Sequence, residues 1–271
     1  MSKTIGVISI KGGVGKTTIS AALAADLVNN YGKKVLLIDA NYSAPNLGMH
    51  MDVLKSDEGN ISDVLTGNKK ITACLHNRYG VDIIPGGDFD PRHTNIFKLR
   101  DKIERMKNAY DYVIIDSSPN LNNEILSTML ASDILFMVST PDFPTLSCSL
   151  KAAELAKQRG RPIAGIIVNK IRDPGFELSL FDIEKATGIP VVARISDEKD
   201  HGRALYSRIP MSLYKRNSKC AKEVRALSAA ITGMKNEPNF WSKLISFHYG
   251  KEVVNRALLK DQFYAGVFDR N

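Results

Sequence analysis

The sequence predicts an α/β fold, a doubly wound and mostly parallel sheet with helices on both faces. Short runs rich in β-branched residues recur along the chain and are apolar on both faces, as strands buried between two helix layers must be. Helical stretches separate most of these runs, as parallel crossover connections require. No internal repeat or low-complexity linker interrupts the series, so we expect one domain over residues 1–235 and a C-terminal helical extension over residues 236–271.

The predicted elements alternate between strand and helix. The first apolar run, Thr4–Ile10, ends at glycines and is predicted to be a buried strand. Apolar residues then recur at helical spacing from Thr17 to Asn30, and Gly32 is expected to end this helix. The later predicted strands are Lys34–Ala40, Val81–Gly87, Tyr110–Pro119, Ile134–Pro141, Ile163–Lys170 and Pro190–Ile195. Ligands of such a sheet bind beyond the carboxyl ends of its strands, where each motif described below lies.

The composition is typical of a globular protein from a reducing compartment. Of the 271 residues, 44% are hydrophobic, which is enough to bury a large core without disulfides. There is no secretory signal and no 18-residue apolar run, so we expect a soluble cytoplasmic protein. The three cysteines, Cys74, Cys148 and Cys220, show no metal or redox spacing along the chain and are expected to be ordinary thiols.

The net charge of +8 is concentrated in one segment. From Arg203 to Lys235, eight basic residues stand against Glu223 alone. This pattern predicts one basic surface, which is either a solvated helix face or a site for an anionic partner.

The segment ISIKGGVGKTT, Ile8–Thr18, predicts a phosphate-binding loop between the first strand and the first helix. Glycines tolerate the dihedrals that turn amide N–H groups inward, and the helix N-terminus adds partial positive charge. Lys16 is expected to bridge the terminal phosphates, Thr17 to hold Mg²⁺ through its hydroxyl, and Thr18 to hydrogen-bond an α-phosphate oxygen. The other predicted loop residues are Gly12, Gly13, Val14 and Gly15.

Two carboxylates predict a metal site beside this loop. Asp39 ends the run VLLID and Asp116 ends VIID, each where an apolar strand meets a loop. An aspartate at a strand tip is often only a solvated group. Two of them beside a phosphate loop are instead expected to be second-shell or water-mediated Mg²⁺ ligands.

The motifs KGGVGKTT, VLLIDA, VIIDSSP and IVNK together resemble the MinD/ParA family of P-loop ATPases over roughly residues 3 to 233. Ile10 stands where a standard P-loop has its first glycine, and a second lysine, Lys11, follows it. The resemblance implies that two subunits close face to face over two ATP molecules and that Lys11 reaches the phosphates of its partner. A second cation there would offset charge on the transferring phosphoryl group, so the ATP state would be the dimeric state.

The resemblance also assigns two switch segments. Asp39–His50 resembles the first switch, in which Asn46–Leu47 is closer to MinD than to partition ATPases, and Asp116–Glu124 resembles the second. The family commonly has a second aspartate that orients the attacking water, whereas this chain has Asn41. Asparagine can hold a water but cannot take its proton. The resulting hypothesis is slow hydrolysis, or hydrolysis that depends on a partner.

Adenine recognition is carried over from the family in the same way. Asn169, at the end of IIVN, matches the asparagine that hydrogen-bonds the base edge in relatives. The loop around Ile209, Pro210 and Met211 is expected to pack on the ring. An asparagine at a strand end is more often a turn former, so the assignment depends on the family match.

The chain offers a feature for each of the two surfaces that family members bind, membrane for MinD-like and DNA for ParA-like members. Asn239–Gly250 is rich in aromatic residues, as a membrane interface favours, but it lacks a basic polar face. A tail docked on its own core or on its dimer mate is therefore slightly favoured over membrane insertion, and a groove on a partner protein comes third. The basic stretch Lys215–Arg225 is the candidate surface for non-specific DNA binding.

The sequence thus predicts a Mg²⁺-dependent, homodimerising ATPase of the MinD branch that positions cellular machinery. We expect it in the cytoplasm, in reversible association with membrane or nucleoid, and served by an activating or cargo protein. A ParA-like partition ATPase is the alternative. A metabolic or cofactor-assembly enzyme, such as an amidoligase, is a third hypothesis; the C-x-x-C pair of iron–sulfur relatives is missing here.

Overall fold

The computed structural model describes residues 2–53, 59–172 and 175–234. Within these ranges eight strands form one sheet, in the order β3-β4-β2-β5-β1-β6-β7-β8. The strands are β1 (Lys3–Ile8), β2 (Val35–Ala40), β3 (His76–Arg78), β4 (Val81–Ile84), β5 (Tyr112–Ser117), β6 (Ile134–Ser139), β7 (Ile163–Ile171) and β8 (Val191–Ser196). The predicted extension over residues 236–271, including Asn239–Gly250, lies outside the described residues, and the domain boundary stays a prediction.

The predicted parallel sheet is confirmed. All neighbouring strands run parallel except β3, which pairs antiparallel with β4. The short edge strand β3 was not predicted, because three residues with two exposed side chains carry no apolar pattern. The crossovers put the carboxyl ends of β1, β2, β5, β6 and β7 at one edge of the sheet, where the predicted motifs meet.

Ten α-helices lie within the described ranges, and three short 3₁₀ turns accompany them. The helices are α1 (Lys16–Tyr31), α2 (Leu47–His50), α3 (Ile61–Thr66), α4 (Leu99–Glu104), α5 (Asn123–Ala131), α6 (Phe143–Gln158), α7 (Leu180–Thr187), α8 (Lys199–Tyr206), α9 (Met211–Tyr214) and α10 (Lys219–Thr232). None of these described helices combines the length and the apolar character needed to cross a membrane.

The sheet is buried on both faces because successive side chains of a strand point to opposite sides. Leu37 packs in the cluster that contains the buried side chains of α1 and α10. Its neighbour Leu36 packs with those of α3 and α4. On the same face as Leu36, but in the half of the sheet that contains β6, Leu135 and Met137 pack with α5, α6 and α7. The core is therefore two helix layers with the sheet between them, as predicted.

Several strand ends differ from the predicted bounds by one to three residues, and two of these differences have clear local reasons. β1 ends at Ile8 rather than Ile10, because the chain turns at Ser9, whose hydroxyl accepts the N–H of Lys11 at 3.3 Å. β4 ends at Ile84 because Pro85 follows and has no N–H for the ladder. The helix after β1 ends as predicted at Gly32, whose φ of +62° lets its N–H reach the carbonyl of Val28.

His50, the last residue of α2, makes the stability of the fold sensitive to acid. Burial lowers the pKa of His50 to about 4, so between pH 6.5 and 4 the unfolded chain binds a proton that the folded chain does not. Folding stability therefore falls as pH drops through this window, by about 2 kcal/mol for this group between pH 7.5 and 5. His50→Gln should remove that part of the loss in denaturant unfolding at the two pH values. An equal loss in the variant would contradict the assignment.

Candidate functional site

The glycine loop has the backbone geometry of an anion cradle. Gly13 and Gly15 adopt positive φ angles of +76° and +94°, and Gly15 caps the N-terminus of α1. Asn169, near the carboxyl end of β7, fixes the position of the loop through a hydrogen bond from its Nδ2 to the carbonyl of Val14 at 2.7 Å. A Cβ on Gly15 would lie 2.3 Å from that same Nδ2. The loop is therefore set in place by a residue 155 positions away.

Lys16 lies in the first turn of α1 with 6% of its surface exposed. Burial lowers its pKa, and the nearby charge of Asp116 offsets this only in part. A buried ammonium group is costly unless an anion compensates its charge. The inward loop, the helix N-terminus and this ammonium group together fit a phosphate chain.

Hydroxyl groups of α1 engage both oxygens of Asp116. The Thr17 hydroxyl donates to Oδ2 at 2.6 Å and lies 3.0 Å from Oδ1 of Asn46. Ser20 donates to Oδ1 of Asp116 at 3.1 Å. Ser20 and Asn46 were not predicted as members of this group; Ser20 stands one helical turn after Lys16, and that spacing was the signal available.

Asp39 and Asp116 lie side by side on neighbouring strands of the sheet. They are register partners in the parallel pair β2–β5, and both are fully buried. Burial raises the pKa of each carboxyl, and the charge of Asp116 raises that of Asp39 further. Oxygen donors are the ligands that Mg²⁺ prefers, so Thr17 and the two carboxylates fit this cation.

Asp39 also holds the first switch segment in place. Its carboxylate accepts the backbone N–H groups of Asn41, Asn46 and Leu47 at 3.0 to 3.1 Å. These bonds reach from residue 41 to residue 47, so one carboxylate fixes the backbone of most of the predicted first switch.

Asn41 presents one buried acceptor without a donor. The residue is 5% exposed, and its Nδ2 donates to the carbonyl of Ala44 at 2.5 Å. No hydrogen-bond partner among the described residues reaches its Oδ1. An orphaned buried acceptor fits an ordered water, which is the role predicted for this position.

Lys11 lies at the rim of the loop, apart from Lys16. Its Nζ lies 3.2 Å from Oδ1 of Asp142 and 2.8 Å from the hydroxyl of Thr145, at the N-terminus of α6. Burial raises the pKa of Asp142, but hydrogen bonds from Thr140, Thr145 and Lys11 outweigh it and lower the pKa to about 2. Asp142 and Thr145 were not predicted as site residues; the signal available was an N-cap aspartate before Pro144, soon after a buried strand.

Comparisons with known proteins agree with this geometry. A family model described as AAA_31, an AAA domain, matches residues 2–149. An uncharacterised ATP-binding protein of Methanocaldococcus jannaschii is 30% identical over 252 residues, which cover 91% of this chain and 94% of that protein. The chain belongs to the MinD/ParA family of P-loop ATPases.

Both branches of the MinD/ParA family contain relatives of this chain. The septum site-determining protein MinD of Pyrococcus horikoshii, whose structure is complexed with Mg-ADP, is 28% identical. It superposes with a TM-score of 0.79 over 85% of this chain and 96% of that chain. The virulence plasmid ParA family protein pGP5-D of Chlamydia psittaci is 31% identical over 150 residues, 52% of this chain and 58% of that protein.

The roles predicted for three further residues of this MinD/ParA ATPase stay predictions, and the structure shows only where each residue lies. Gly12 is exposed at the start of the loop, and Thr18 is half-buried in the first turn of α1. Pro210 precedes α9, where Ser212 donates to the carbonyl of Ala22 in α1 at 2.8 Å. At 1.5 Å per residue, Ala22 lies about 9 Å along the helix from Lys16. The hydrogen bonds described around Pro210 thus reach both α1 and α8, and the role of this loop in adenine binding stays a prediction.

The close approach of Asn169 to Gly15 makes a testable prediction for the P-loop. Gly15→Ala would add a Cβ at 2.3 Å from Nδ2 and strain a left-handed residue, at a cost of about 1–3 kcal/mol. We expect the affinity for a fluorescent ATP analogue to fall tenfold or more. Gly32→Ala is the matched control, since Gly32 has a positive φ with no heavy atom within 4 Å of the added Cβ. Equal affinities in the two variants would contradict the cradle geometry.

Proposed function

We propose that the chain is a dimerising ATPase of the MinD branch, which positions cellular machinery by holding a surface in its ATP state and leaving it after hydrolysis. The observation that carries the proposal is a P-loop with two lysines in different environments, Lys16 buried in the loop and Lys11 at its rim. The Mg-ADP complex of the Pyrococcus horikoshii MinD supports ATP and Mg²⁺ as cofactors. When bound, Mg-ATP supplies the phosphoryl group and the cation that neutralises it.

In this proposal, each side chain of the nucleotide site has a role that follows from its position. Lys16 and the amides of the glycine loop bind phosphate oxygens, and the helix N-terminus adds its partial charge. Thr17 and Asp116 hold the cation, while Asp39 keeps the first switch near it. The free Oδ1 of Asn41 positions a water. Since an amide cannot accept a proton, hydrolysis in this chain is slow or needs a partner protein.

In this proposal, Lys11 interacts with the nucleotide bound by a second copy of the chain. The Lys11 side chain is 38% exposed and lines a cleft of about 810 Å³ beside the loop. Phe143 and Phe176 line the same cleft and are 74% and 94% exposed. Exposed aromatic side chains around a cationic group are typical of an interaction face. Face-to-face pairing would cover them and bring Lys11 to the neighbouring phosphates.

Asn41→Asp tests the hypothesis of slow hydrolysis. A carboxylate at this position can accept a proton from the water that the amide only holds, so steady-state ATP turnover in the purified dimer should rise about tenfold or more. The new charge also faces the Ala44 carbonyl and lies two residues from Asp39, so thermal unfolding must accompany the assay. Unchanged or lower turnover in a folded, dimeric variant would remove Asn41 as the cause.

A ParA-like role on DNA is the second candidate, and one feature favours it. Lys215, Arg216, Lys219 and Lys222 are exposed around the start of α10. Lys215 is paired with Asp200 at 2.7 Å, which reduces its free charge. Contacts to phosphates alone would be independent of base sequence and would weaken steeply with added salt.

Cosedimentation distinguishes the two surfaces. The full chain is mixed with anionic phospholipid vesicles or with linear duplex DNA, each with ATP or ADP. A MinD-like role predicts ATP-dependent recovery with vesicles and no effect of Lys219→Glu with Lys222→Glu. Truncation beyond Lys235 then tests the tail: loss of recovery would make it the membrane anchor, and unchanged recovery would fit a tail docked on the protein. ATP-dependent recovery with DNA that these two substitutions abolish would instead select the ParA-like role. Turnover and recovery independent of dimer formation would refute both.

A further inference from the structure

Three side chains that the nucleotide site does not use meet beyond the carboxyl end of β8. They are Glu198, His201 and Cys220, and one potential ligand atom from each lies within 4.8 Å of the other two. Glu198 and His201 are half-buried, and Cys220 is 2% exposed. Carboxylate, imidazole and thiol thus converge at a place partly closed to solvent.

Two helix N-termini bring these side chains together. Glu198 precedes α8 and His201 lies in its first turn, where its N–H donates to the carbonyl of Glu198 at 3.0 Å. Cys220 lies in the first turn of α10, capped by Ser218, whose hydroxyl is 3.3 Å from its Sγ. The separation along the chain matches no metal motif, which is why the cysteine pattern predicted only ordinary thiols.

The polar atoms of this cluster are incompletely used by the protein itself. No partner among the described residues reaches Nε2 of His201, although that atom is buried. Glu198 stands at the N-cap of α8, where a carboxylate normally accepts a backbone N–H, yet its side chain makes no such bond and is hydrogen-bonded to the Cys220 thiol instead. A buried ring nitrogen without a partner, beside a thiol and a carboxylate that contact each other, fits a bound cation.

The surrounding charges also favour a cation. The carboxylates of Glu198, Asp197 and Asp200 and the ammonium group of Lys170 lie near the His201 ring. Asp200 is paired with Arg203 and Lys215, and Asp197 is paired with Arg172. Of these three carboxylates, Glu198 is therefore the one for which no ion pair is seen among the described residues.

We propose that Glu198, His201 and Cys220 form a binding site for a divalent transition metal ion, with Zn²⁺ as the ion that best fits the donors. Thiolate and imidazole select Zn²⁺ over Mg²⁺, which prefers oxygen ligands, so this site is chemically separate from the nucleotide site. Tetrahedral zinc bonds place ligand atoms about 3.3–3.8 Å apart, so binding requires the side chains to close by about 1.5 Å at most. Three protein ligands leave the fourth position open to water or another small ligand.

The metal would join the first turn of α8 to the first turn of α10. Because a metal that binds only the folded chain stabilises it, saturating Zn²⁺ raises the thermal unfolding midpoint. The metal site needs neither ATP nor dimer formation. A failure of the proposed function would therefore leave the metal proposal unaffected, and the reverse also holds.

Metal titration of the full chain without nucleotide tests the site. The protein is freed of metal with a chelator, kept in excess Mg²⁺, and titrated with Zn²⁺ in competition with a chromophoric chelator, and separately with Co²⁺. We expect one equivalent of bound Zn²⁺ and a thiolate-to-cobalt charge-transfer band in the near ultraviolet. Absence of saturable binding, or cobalt binding without the thiolate band, overturns the proposal.

Substitutions assign the ligands. Cys220→Ser should abolish the thiolate band, and His201→Gln and Glu198→Gln should each weaken Zn²⁺ binding by about tenfold or more. Cys148→Ser is the matched control, since Cys148 is a half-buried free cysteine outside the cluster. Because Cys220 is buried, circular dichroism checks the fold of each variant, and the half-buried Glu198 and His201 supply the test if Cys220→Ser unfolds. Binding unchanged in the Glu198 and His201 variants, or lost in Cys148→Ser, refutes the site.

Discussion

Lys16→Ala is expected to weaken ATP binding by a hundredfold or more. The Lys16 ammonium is buried at the N-terminus of α1, and burial lowers its pKa, so an anion in the loop gains a strong and poorly screened partner. Hydrogen bonds to charged groups contribute about 1.5–3 kcal/mol each, and two lost bonds account for about 3–6 kcal/mol. Isothermal titration with ATP and Mg²⁺ measures the change directly.

Lys34→Ala is the matched control for this prediction. Lys34 is an exposed lysine that follows the other end of α1. Its loss changes the net charge by the same amount without touching the loop, so affinity should stay close to that of the native chain. Similar affinities for the Lys16 and Lys34 variants would mean that the glycine loop is not the phosphate site.

Lys11→Ala is expected to abolish ATP-driven dimer formation and to lower turnover by roughly a thousandfold, the lower end for a cation supplied in trans. In the single chain the Lys11 side chain is 38% exposed, and it contacts Asp142 and Thr145 rather than the interior of the loop. Its removal should therefore leave the fold and the binding of ATP by the monomer largely intact. Light scattering after gel filtration, with ATP and with ADP, measures dimer formation beside the turnover assay.

Asp142→Asn separates the two roles open to Lys11. Asparagine caps a helix about as well as aspartate, so α6 should persist while the ion pair to Lys11 is lost. Normal dimer formation in Asp142→Asn and none in Lys11→Ala would show that the lysine acts on the partner subunit. If both variants fail alike, the contact within one chain is what matters. Dimers and turnover unchanged in Lys11→Ala would refute the proposed role.

Much of the nucleotide site could be predicted because its parts are consecutive in the chain. Gly12 to Thr18 carry the loop, the cap and the first helical turn within one segment, and backbone geometry there depends on neighbouring residues. Asp39 and Asp116 lie 77 positions apart, yet each is marked by the apolar strand that it ends. The parallel sheet then aligns those strand ends, so the pairing followed from the predicted fold.

Other residues of the site have no signal in the neighbouring sequence that would predict their contacts. Asn169 contacts Val14 across 155 positions, and Lys11 contacts Asp142 across 131. Pro210 was assigned to adenine through the family match alone, and the hydrogen bonds described around it reach α1 and α8. The order of β6, β7 and β8 beside β1 decides which of these side chains come within reach of the loop.

By itself, the sequence determined the fold class, the phosphate loop and the two carboxylates, because hydrophobic periodicity and glycine chemistry act over a few neighbouring residues. The tertiary structure alone decided that Lys11 lies against α6, that Asp39 holds the first switch, and that Glu198, His201 and Cys220 lie close together. Those contacts depend on how distant helix ends pack onto the sheet. Packing of that kind reflects the shape of the whole core, and no short window of residues contains it.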